Sequence, residues 1–129
     1  MASLIHELSE QQLRIYVCQC CRRIWNLLID ERSRIAVEVA ERFALSAASS
    51  EDLALAHKNA WNAYVERSQT IDDHAAAAAY YCASPALQML QAATNRVLAA
   101  VDVKDVELAA QADLLRGILG NPCNNNDAI

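Results

Sequence analysis

Glycine and proline are scarce in this sequence, whose 129 residues include only two of each. A β-rich fold needs turn residues roughly every 8–12 positions, so this scarcity argues against one. Alanine has the highest helix propensity and is abundant, and 54% of the chain is hydrophobic. We therefore predict an all-α protein, a compact helical bundle of five or six helices. In this prediction residues 1–122 form a single domain, and residues 123–129 form a polar C-terminal tail.

Long apolar runs are also missing. None reaches the roughly 20 residues that cross a bilayer, and no cationic segment precedes an apolar one at the N-terminus. We therefore expect a cytoplasmic protein with no membrane partner. The net charge of −5 opposes a nucleic-acid backbone, and the arginines within residues 22–34 are interleaved with acidic residues. Nucleic acid is accordingly not an expected partner.

The motifs of several enzyme classes are absent as well. No glutamate is followed by histidine three residues later, the pair that di-iron helical bundles use. No glycine-rich phosphate-binding loop is present either. The sequence predicts no catalytic residues, and it favours a non-catalytic function over an enzymatic one.

Helix periodicity, cysteines, tryptophan and charge are concentrated in residues 13–42. If residues 10–29 are helical, the side chains at core-facing spacing are Leu13, Val17, Cys20, Ile24, Leu27 and Leu28. A second apolar face carries Cys18, Cys21, Trp25 and Ile29. A helix that is apolar on two faces is normally surrounded. We predict that this helix lies at the centre of the bundle or uses its second face to bind another chain.

Capping signals delimit the predicted helices. The starting residues are Ser9 with Gln12, Asp30, Ser49 with Asp52, Thr70 with Asp73, and Pro85. They open helices over residues 10–29 and 31–45, from Ser49 to about residue 67, over residues 71–83 and from residue 85 onward. A break between Asp102 and Asp105 divides the last periodic stretch, which stops before Gly120. The side chains expected to face inward include Ile35, Val39, Phe43, Leu53, His57, Ala60, Trp61, Tyr64, Leu90, Val97 and Leu115.

Two stretches resemble a known family. The motifs CxCCRRIW, DERSR and VEVAER within residues 12–44, and LLRxIxGNP within residues 111–122, are similar to those of an uncharacterised helical family abundant in planctomycete bacteria. No activity is assigned to that family, so the resemblance implies a helical architecture and no catalytic residues. This chain has Tyr16 and Val17 where Phe and Ala are common in the family. Many relatives continue beyond Pro122, and we expect any function of that further segment to be absent.

Five cysteines in a chain without a secretion signal are expected to be reduced thiols. Cys18 and Cys21 lie one helical turn apart, so both could ligate a soft metal ion, with Cys82 or His57 completing the site. The alternative is that the cysteines are small buried residues at tight helix contacts, and that His57 is a buried neutral histidine. Because no second closely spaced ligand pair exists, we predict that folding needs no metal.

Trp25 and Ile29, together with Cys18, are the predicted interaction residues, because they lie on the extra face of the central helix. The sequence therefore predicts a helical protein-interaction or assembly module, and a symmetric homodimer is the simplest assembly. The alternative function is a thiol-rich bundle that binds a soft metal ion or a small apolar ligand. The remaining aromatic residues either close a small core or line a groove for such a ligand; they are Trp61, Tyr64, Tyr80 and Tyr81.

Overall fold

The computed structural model of the chain describes residues 8–67, 73–101 and 104–119. Within these ranges the chain forms six α-helices and no β-strand. The helices are α1 (Glu10–Arg22), α2 (Glu31–Ala44), α3 (Ser50–Arg67), α4 (His74–Cys82), α5 (Leu90–Ala100) and α6 (Lys104–Leu119). The prediction of an all-α bundle of five or six helices is confirmed. The predicted tail over residues 123–129 lies outside the described residues.

Side-chain caps fix where the first three helices begin. Ser9 Oγ accepts a hydrogen bond from the backbone N–H of Gln12 at 3.1 Å, and Gln12 Oε1 accepts one from the Ser9 N–H at 2.9 Å. Ser49 and Asp52 form the same reciprocal pair, and Asp30 accepts a backbone hydrogen bond in the first turn of α2. Each cap satisfies backbone N–H groups that have no partner inside the helix. The three predicted starts are therefore confirmed.

The start of α4 differs from the prediction. Asp73 is the N-cap of this helix, and its side chain accepts a hydrogen bond from the backbone N–H of Ala76 at 3.1 Å. The helix is therefore shorter than the predicted one over residues 71–83. The predicted capping residue Thr70 lies outside the described residues.

Two further helices follow α4, and their boundaries are partly as expected. The helix predicted to start at Pro85 begins instead at Leu90, because residues 87–89 first form a 3₁₀ turn. The predicted break of the last periodic stretch is confirmed, since α5 and α6 are separate helices. The side chains of Asp102 and Asp105, which were expected to cap at this break, lie outside the described residues.

The first helix ends earlier than residue 29, the predicted end. The N–H groups of Arg23 and Ile24 bond to carbonyls three residues earlier, at 3.2 and 3.1 Å, and a 3₁₀ turn follows over Trp25–Leu27. A 3₁₀ turn has three residues per turn, so side chains beyond Arg22 no longer follow the α-helical stripe. Leu27, predicted to be core, is therefore 44% exposed.

Two helices occupy the interior of the bundle. α1 contacts α2, α4, α5 and α6, while α4 contacts α1, α2, α3 and α5. The prediction that the first helix lies centrally is confirmed, and part of its second apolar face is covered by α4. All five alanines from Ala75 to Ala79 are buried. Their small side chains leave room for helices on several sides of α4.

Besides Leu27, two further bulky residues that were predicted to face inward are exposed. Ile35 on α2 and Trp61 on α3 have 42% and 44% of their surface in solvent. The inner face of α2 is instead formed by Ala36, Val37, Val39 and Ala40, and that of α3 by Leu53, Ala56, Ala60 and Ala63. Small residues allow helix backbones to approach closely, so the alanine-rich faces were buried in preference to the faces with the largest side chains.

The end of α2 is closed by a tight backbone turn at Ser46. Ser46 has φ 62°, and it follows the last turn of the helix in the left-handed conformation that usually requires glycine. The Ser46 N–H bonds to the carbonyl of Phe43 at 3.0 Å, and the Ala47 N–H bonds to that of Arg42 at 2.7 Å. These two bonds are the pattern of a Schellman motif, which satisfies the last carbonyls of the helix.

The structure also bears on membrane insertion. Among the described residues, no helix combines the length and the apolar character that crossing a bilayer requires.

Adjacent leucines at the end of the 3₁₀ turn test this placement. Leu28 is 1% exposed, so Leu28→Ala is expected to lower the free energy of unfolding by about 2–5 kcal/mol. Leu27→Ala is the matched control and should cost less, about 1 kcal/mol, because 44% of the Leu27 surface is already in solvent. Urea unfolding followed by circular dichroism measures both changes. Equal losses in the two variants would contradict the placement of the turn.

Candidate functional site

Three cysteines meet where α1 crosses α4, and we call Cys18, Cys21 and Cys82 the thiol cluster. The sulfur atoms of Cys18 and Cys82 are 3.5 Å apart. The Cys21 thiol donates to the carbonyl of Ala78 at 3.7 Å, and the Cys21 and Cys82 thiols are near enough to influence each other's pKa. All three are free thiols, and all are buried. The predicted burial of Cys18, Cys20 and Cys21 is therefore confirmed, and the expectation that the cysteines are reduced in solution stays a prediction.

The cluster favours protonated thiols. The hydrogen bond that Cys18 shares with Cys82, together with burial, holds the pKa of Cys18 well above its usual value. For Cys82 the bond from Cys18 lowers the pKa, but the bond to Cys21 and burial outweigh it and the pKa is raised. The bond from Cys82 likewise lowers the pKa of Cys21, and burial outweighs that effect. A cysteine acts as a nucleophile or a metal ligand only as its thiolate, so the protonated cluster is unreactive.

Of the four predicted metal ligands, His57 alone lies away from the thiol cluster. Its ring stacks on Tyr80, with centroids 4.3 Å apart, and its side chain is half-buried. Burial lowers the pKa of His57, which favours the neutral imidazole. Within the described ranges, no group of three His, Cys, Asp or Glu side chains is arranged to hold a metal ion. The soft-metal hypothesis stays a prediction.

The aromatic residues of α3 and α4 form a partly exposed cluster. The ring of Trp61 lies 5.0 Å from that of Tyr80 and 5.7 Å from that of Tyr64, and Tyr80 lies 5.1 Å from Tyr81. Such tilted contacts are favourable for aromatic pairs. Because Trp61 remains 44% exposed, the cluster is not the closed core that was one of the two expectations.

Trp25 is held in place by two arginines. The guanidinium carbon of Arg22 lies 4.0 Å from the centroid of the indole, and that of Arg34 lies 5.4 Å from it. Arg22 is fixed in turn by two hydrogen bonds to Glu41, at 2.7 and 2.8 Å. Arg34 donates to the carbonyls of Leu28 and Trp25, which ties α2 to the turn that carries the indole. The Trp25 ring is therefore in contact with two guanidinium groups that are themselves held by hydrogen bonds.

A surface cavity of about 440 Å³ opens beside this ring. We call it the Trp25 surface; its residues are Trp25, Ile29, Glu31, Arg34, Ile35 and Glu38. Ile29 is 68% exposed. Cys18, the third predicted interaction residue, is not part of this surface, because it is 1% exposed and its sulfur faces Cys82. The α-helix that would have aligned Cys18 with Ile29 ends at Arg22.

Arg14 is a functional candidate that the sequence analysis missed. It is only 2% exposed, and its Nη1 donates to the carbonyls of Cys82 at 3.2 Å and Ser84 at 2.9 Å. Its guanidinium carbon lies 5.2 Å from the centroid of the Phe43 ring. The sequence does contain a signal for this burial, because Arg14, Cys18 and Cys21 have the spacing of one helical face. A charged residue on an apolar face indicates a buried polar contact.

A second missed group connects α6 to α1. Glu107 is buried; its carboxylate accepts hydrogen bonds from Arg23 Nε at 2.9 Å and Gln111 Nε2 at 3.1 Å. Nearby, burial raises the pKa of Tyr16, and the Tyr16 hydroxyl has no hydrogen-bond partner in the described part of the chain. Burial also raises the pKa of Cys20 to about 12. The Glu107 carboxylate itself is paired with Arg23 and hydrogen-bonded to Gln111, and such partners are what make a buried carboxylate stable.

The raised thiol pKa values predict loss of stability at alkaline pH. Each buried thiol keeps its proton in the folded state, whereas an unfolded cysteine loses it above about pH 8.5. The unfolded state then binds fewer protons, so stability falls as pH rises, by up to about 1.4 kcal/mol per pH unit for each thiol. For Cys20 the loss extends from about pH 8.5 up to its folded pKa of about 12.

Urea unfolding between about pH 7 and pH 10 measures this dependence. We expect a constant free energy of unfolding below the cysteine range and a steep fall above it. Cys20→Ala removes one titrating thiol and should make the fall shallower. Cys123→Ser, which changes a residue outside the described ranges, is the comparison variant. A free energy that does not change above about pH 8.5 would contradict the burial of these thiols.

The chain matches no protein-family model, no curated protein and no solved structure. The resemblance to the planctomycete family therefore stays a prediction that rests on the quoted motifs. The Trp25 surface and the thiol cluster are the two candidate sites that combine sequence-predicted residues.

Proposed function

We propose that the protein is a helical interaction module that associates with a second copy of itself through the Trp25 surface. The observation that carries the proposal is the exposure of Ile29, 68%, and Ile35, 42%, beside an indole that is already fixed. Tryptophan is enriched among the residues that contribute most to protein interfaces. Large apolar side chains that are exposed together favour burial against a partner.

The fixed position of Trp25 reduces the cost of association. A side chain that is ordered only on binding loses rotamer entropy, typically about 0.5–1.5 kcal/mol. The contacts with Arg22 and Arg34 order the indole within the monomer, so little of this cost remains. A partner therefore meets a preformed surface.

The charges at the rim support a second copy as the partner. Glu31 and Glu38 are acidic and Arg34 is basic, so the surface carries both signs next to its apolar centre. In a two-fold symmetric contact each residue meets the same surface of the other copy. An axis that passes between Glu31 and Arg34 would place each of them opposite its counterpart of opposite charge.

Sedimentation velocity on three proteins tests the proposal. The wild type is expected to sediment as a dimer at high concentration and to dissociate on dilution. Ile29→Glu should shift it to a folded monomer, because a charge would be buried at the centre of the contact. Leu55→Glu is the matched control, since Leu55 is 60% exposed on α3 and is not part of the Trp25 surface. Circular dichroism verifies that both variants remain helical.

Two results would overturn self-association. One is a wild type that stays monomeric at its highest soluble concentration. The other is equal dissociation of Ile29→Glu and Leu55→Glu, which would show that the contact is a general effect of surface charge.

We also propose a second function, uptake of a soft metal ion by the thiol cluster. It is favoured by the 3.5 Å approach of the Cys18 and Cys82 sulfurs and by the contact of Cys82 with Cys21. Thiolates are preferred ligands of copper(I) and zinc. Binding would release the thiol protons and would require the sulfur atoms to rearrange around the ion.

Native mass spectrometry with elemental analysis tests the second function on freshly purified, reduced protein. Stoichiometric metal that is lost in Cys82→Ala and retained in Cys20→Ala would support it, because Cys20 is not part of the thiol cluster. Metal-free wild type that also takes up no added copper(I) or zinc would contradict it.

A further inference from the structure

A cavity of about 360 Å³ lies between the start of α1 and the end of α2. Its residues are Glu10, Gln11, Arg14, Phe43, Ala44 and Ser46. The side-chain amide of Gln11 donates to the carbonyl of Ala44 at 2.7 Å and joins the two helices at this point. None of these residues belongs to the Trp25 surface or to the thiol cluster.

The Arg14 guanidinium has unused hydrogen-bond donors at this cavity. Both of its hydrogen bonds within the described ranges start from Nη1 and end on the carbonyls of Cys82 and Ser84. Arginine carries five N–H donors, so the N–H of Nε and the two of Nη2 have no protein acceptor there. The fully buried side-chain polar atoms that lack a partner in the described residues are Tyr16 Oη and Ser33 Oγ, so Nε and Nη2 of Arg14 are not fully buried. Arg14 lines the cavity, and we call its unpaired Nε and Nη2 side, which opens on the cavity, the free edge.

The existing contacts of Arg14 explain its position but leave its charge partly unbalanced. Cys82 is the last residue of α4, so Nη1 binds the negative end of that helix. Burial lowers the pKa of Arg14, and the charge of Glu10 is among the influences that oppose this. No carboxylate in the described residues makes an ion pair with Arg14 that meets hydrogen-bonding distance. A buried cation of this kind favours an anion on its free edge.

We propose that this cavity is a binding site for a carboxylate, held by Nε and Nη2 of Arg14 with its apolar part against Phe43. The guanidinium fork matches a carboxylate with two parallel hydrogen bonds, and the charge-assisted bonds are the strong ones. A monoanion fits better than a phosphate dianion, because Glu10 already contributes a negative charge to the same cavity. The carboxylate belongs to a small aromatic acid or to the C-terminus of a peptide, which present the same chemistry.

Glu10 controls access in this arrangement. It is exposed, it lines the cavity, and it has the same chemical group as the ligand. Its charge repels an incoming carboxylate and competes with it for Arg14. Neutralising Glu10 should therefore tighten binding without disturbing the core.

The test is titration of the ¹⁵N-labelled protein with benzoate, followed by the amide signals of Gln11, Phe43 and Ser46. Saturable shifts are expected with benzoate and none with benzamide, which has the same shape without the charge. Glu10→Gln should lower the Kd about fivefold, an effect typical of removing one nearby like charge at a surface. Glu51→Gln, an exposed glutamate on α3, is the matched control and should leave the Kd unchanged.

Arg14→Lys should abolish the saturable shifts, because lysine lacks the planar fork. If this variant does not fold, Glu10→Gln still decides the question. Linear shifts without saturation, equal shifts with benzamide, or a Kd that Glu10→Gln leaves unchanged would each overturn the site. A short peptide ending in phenylalanine, compared with its C-terminal amide, identifies the source: tighter binding of the free acid than of benzoate assigns the site to peptide C-termini, and weaker binding assigns it to small acids.

Discussion

The contact between α1 and α4 is the constraint on which the other contacts depend. Both helices are surrounded, and each touches four others. The side chains between them are small, namely cysteines of α1 and the alanines and Cys82 of α4, which lets the two helices approach closely in the interior. Arg14 adds a polar anchor, because it binds carbonyls at the end of α4 that would otherwise lack partners. The cysteines therefore serve packing, whether or not they also bind a metal.

The early end of α1 determines which surface is left for a partner. Had the α-helix continued to residue 29, Cys18, Cys21, Trp25 and Ile29 would have formed one face. Because it ends at Arg22, the cysteines face α4, while Trp25 and Ile29 turn toward α2 and solvent. The helix thus contributes to the core, and the turn that follows it contributes to the proposed interface. Arg34 stabilises this division through its hydrogen bonds to the carbonyls of the turn.

The sequence predicted those features that depend on neighbouring residues. The caps at Ser9, Asp30 and Ser49 each involve residues no more than three positions apart, and all were predicted. The turn after α1 is bonded through its carbonyls to Arg34, which lies in another helix, and local periodicity carries no information on such a contact. The exposure of Ile35 and the burial of Arg14 depend on which helices become neighbours. For the candidate sites, the sequence predicted Trp25 and Ile29 of the Trp25 surface and the residues of the thiol cluster. It could not show that Cys18 faces Cys82 rather than the Trp25 surface.

The helix α1 lies between the proposed carboxylate site and the Trp25 surface. Arg14 lies near its start and Trp25 just beyond its end, eleven positions later, which corresponds to roughly 16 Å along a helix. Coupling between two sites requires an element with two discrete arrangements that both ligands bias. The segment between them is a capped helix in contact with four other helices, and its Cys18 and Cys21 sulfur atoms are buried against α4. A helix held in a single conformation has no second arrangement that either ligand could stabilise. Carboxylate binding at Arg14 should therefore leave association through the Trp25 surface unchanged.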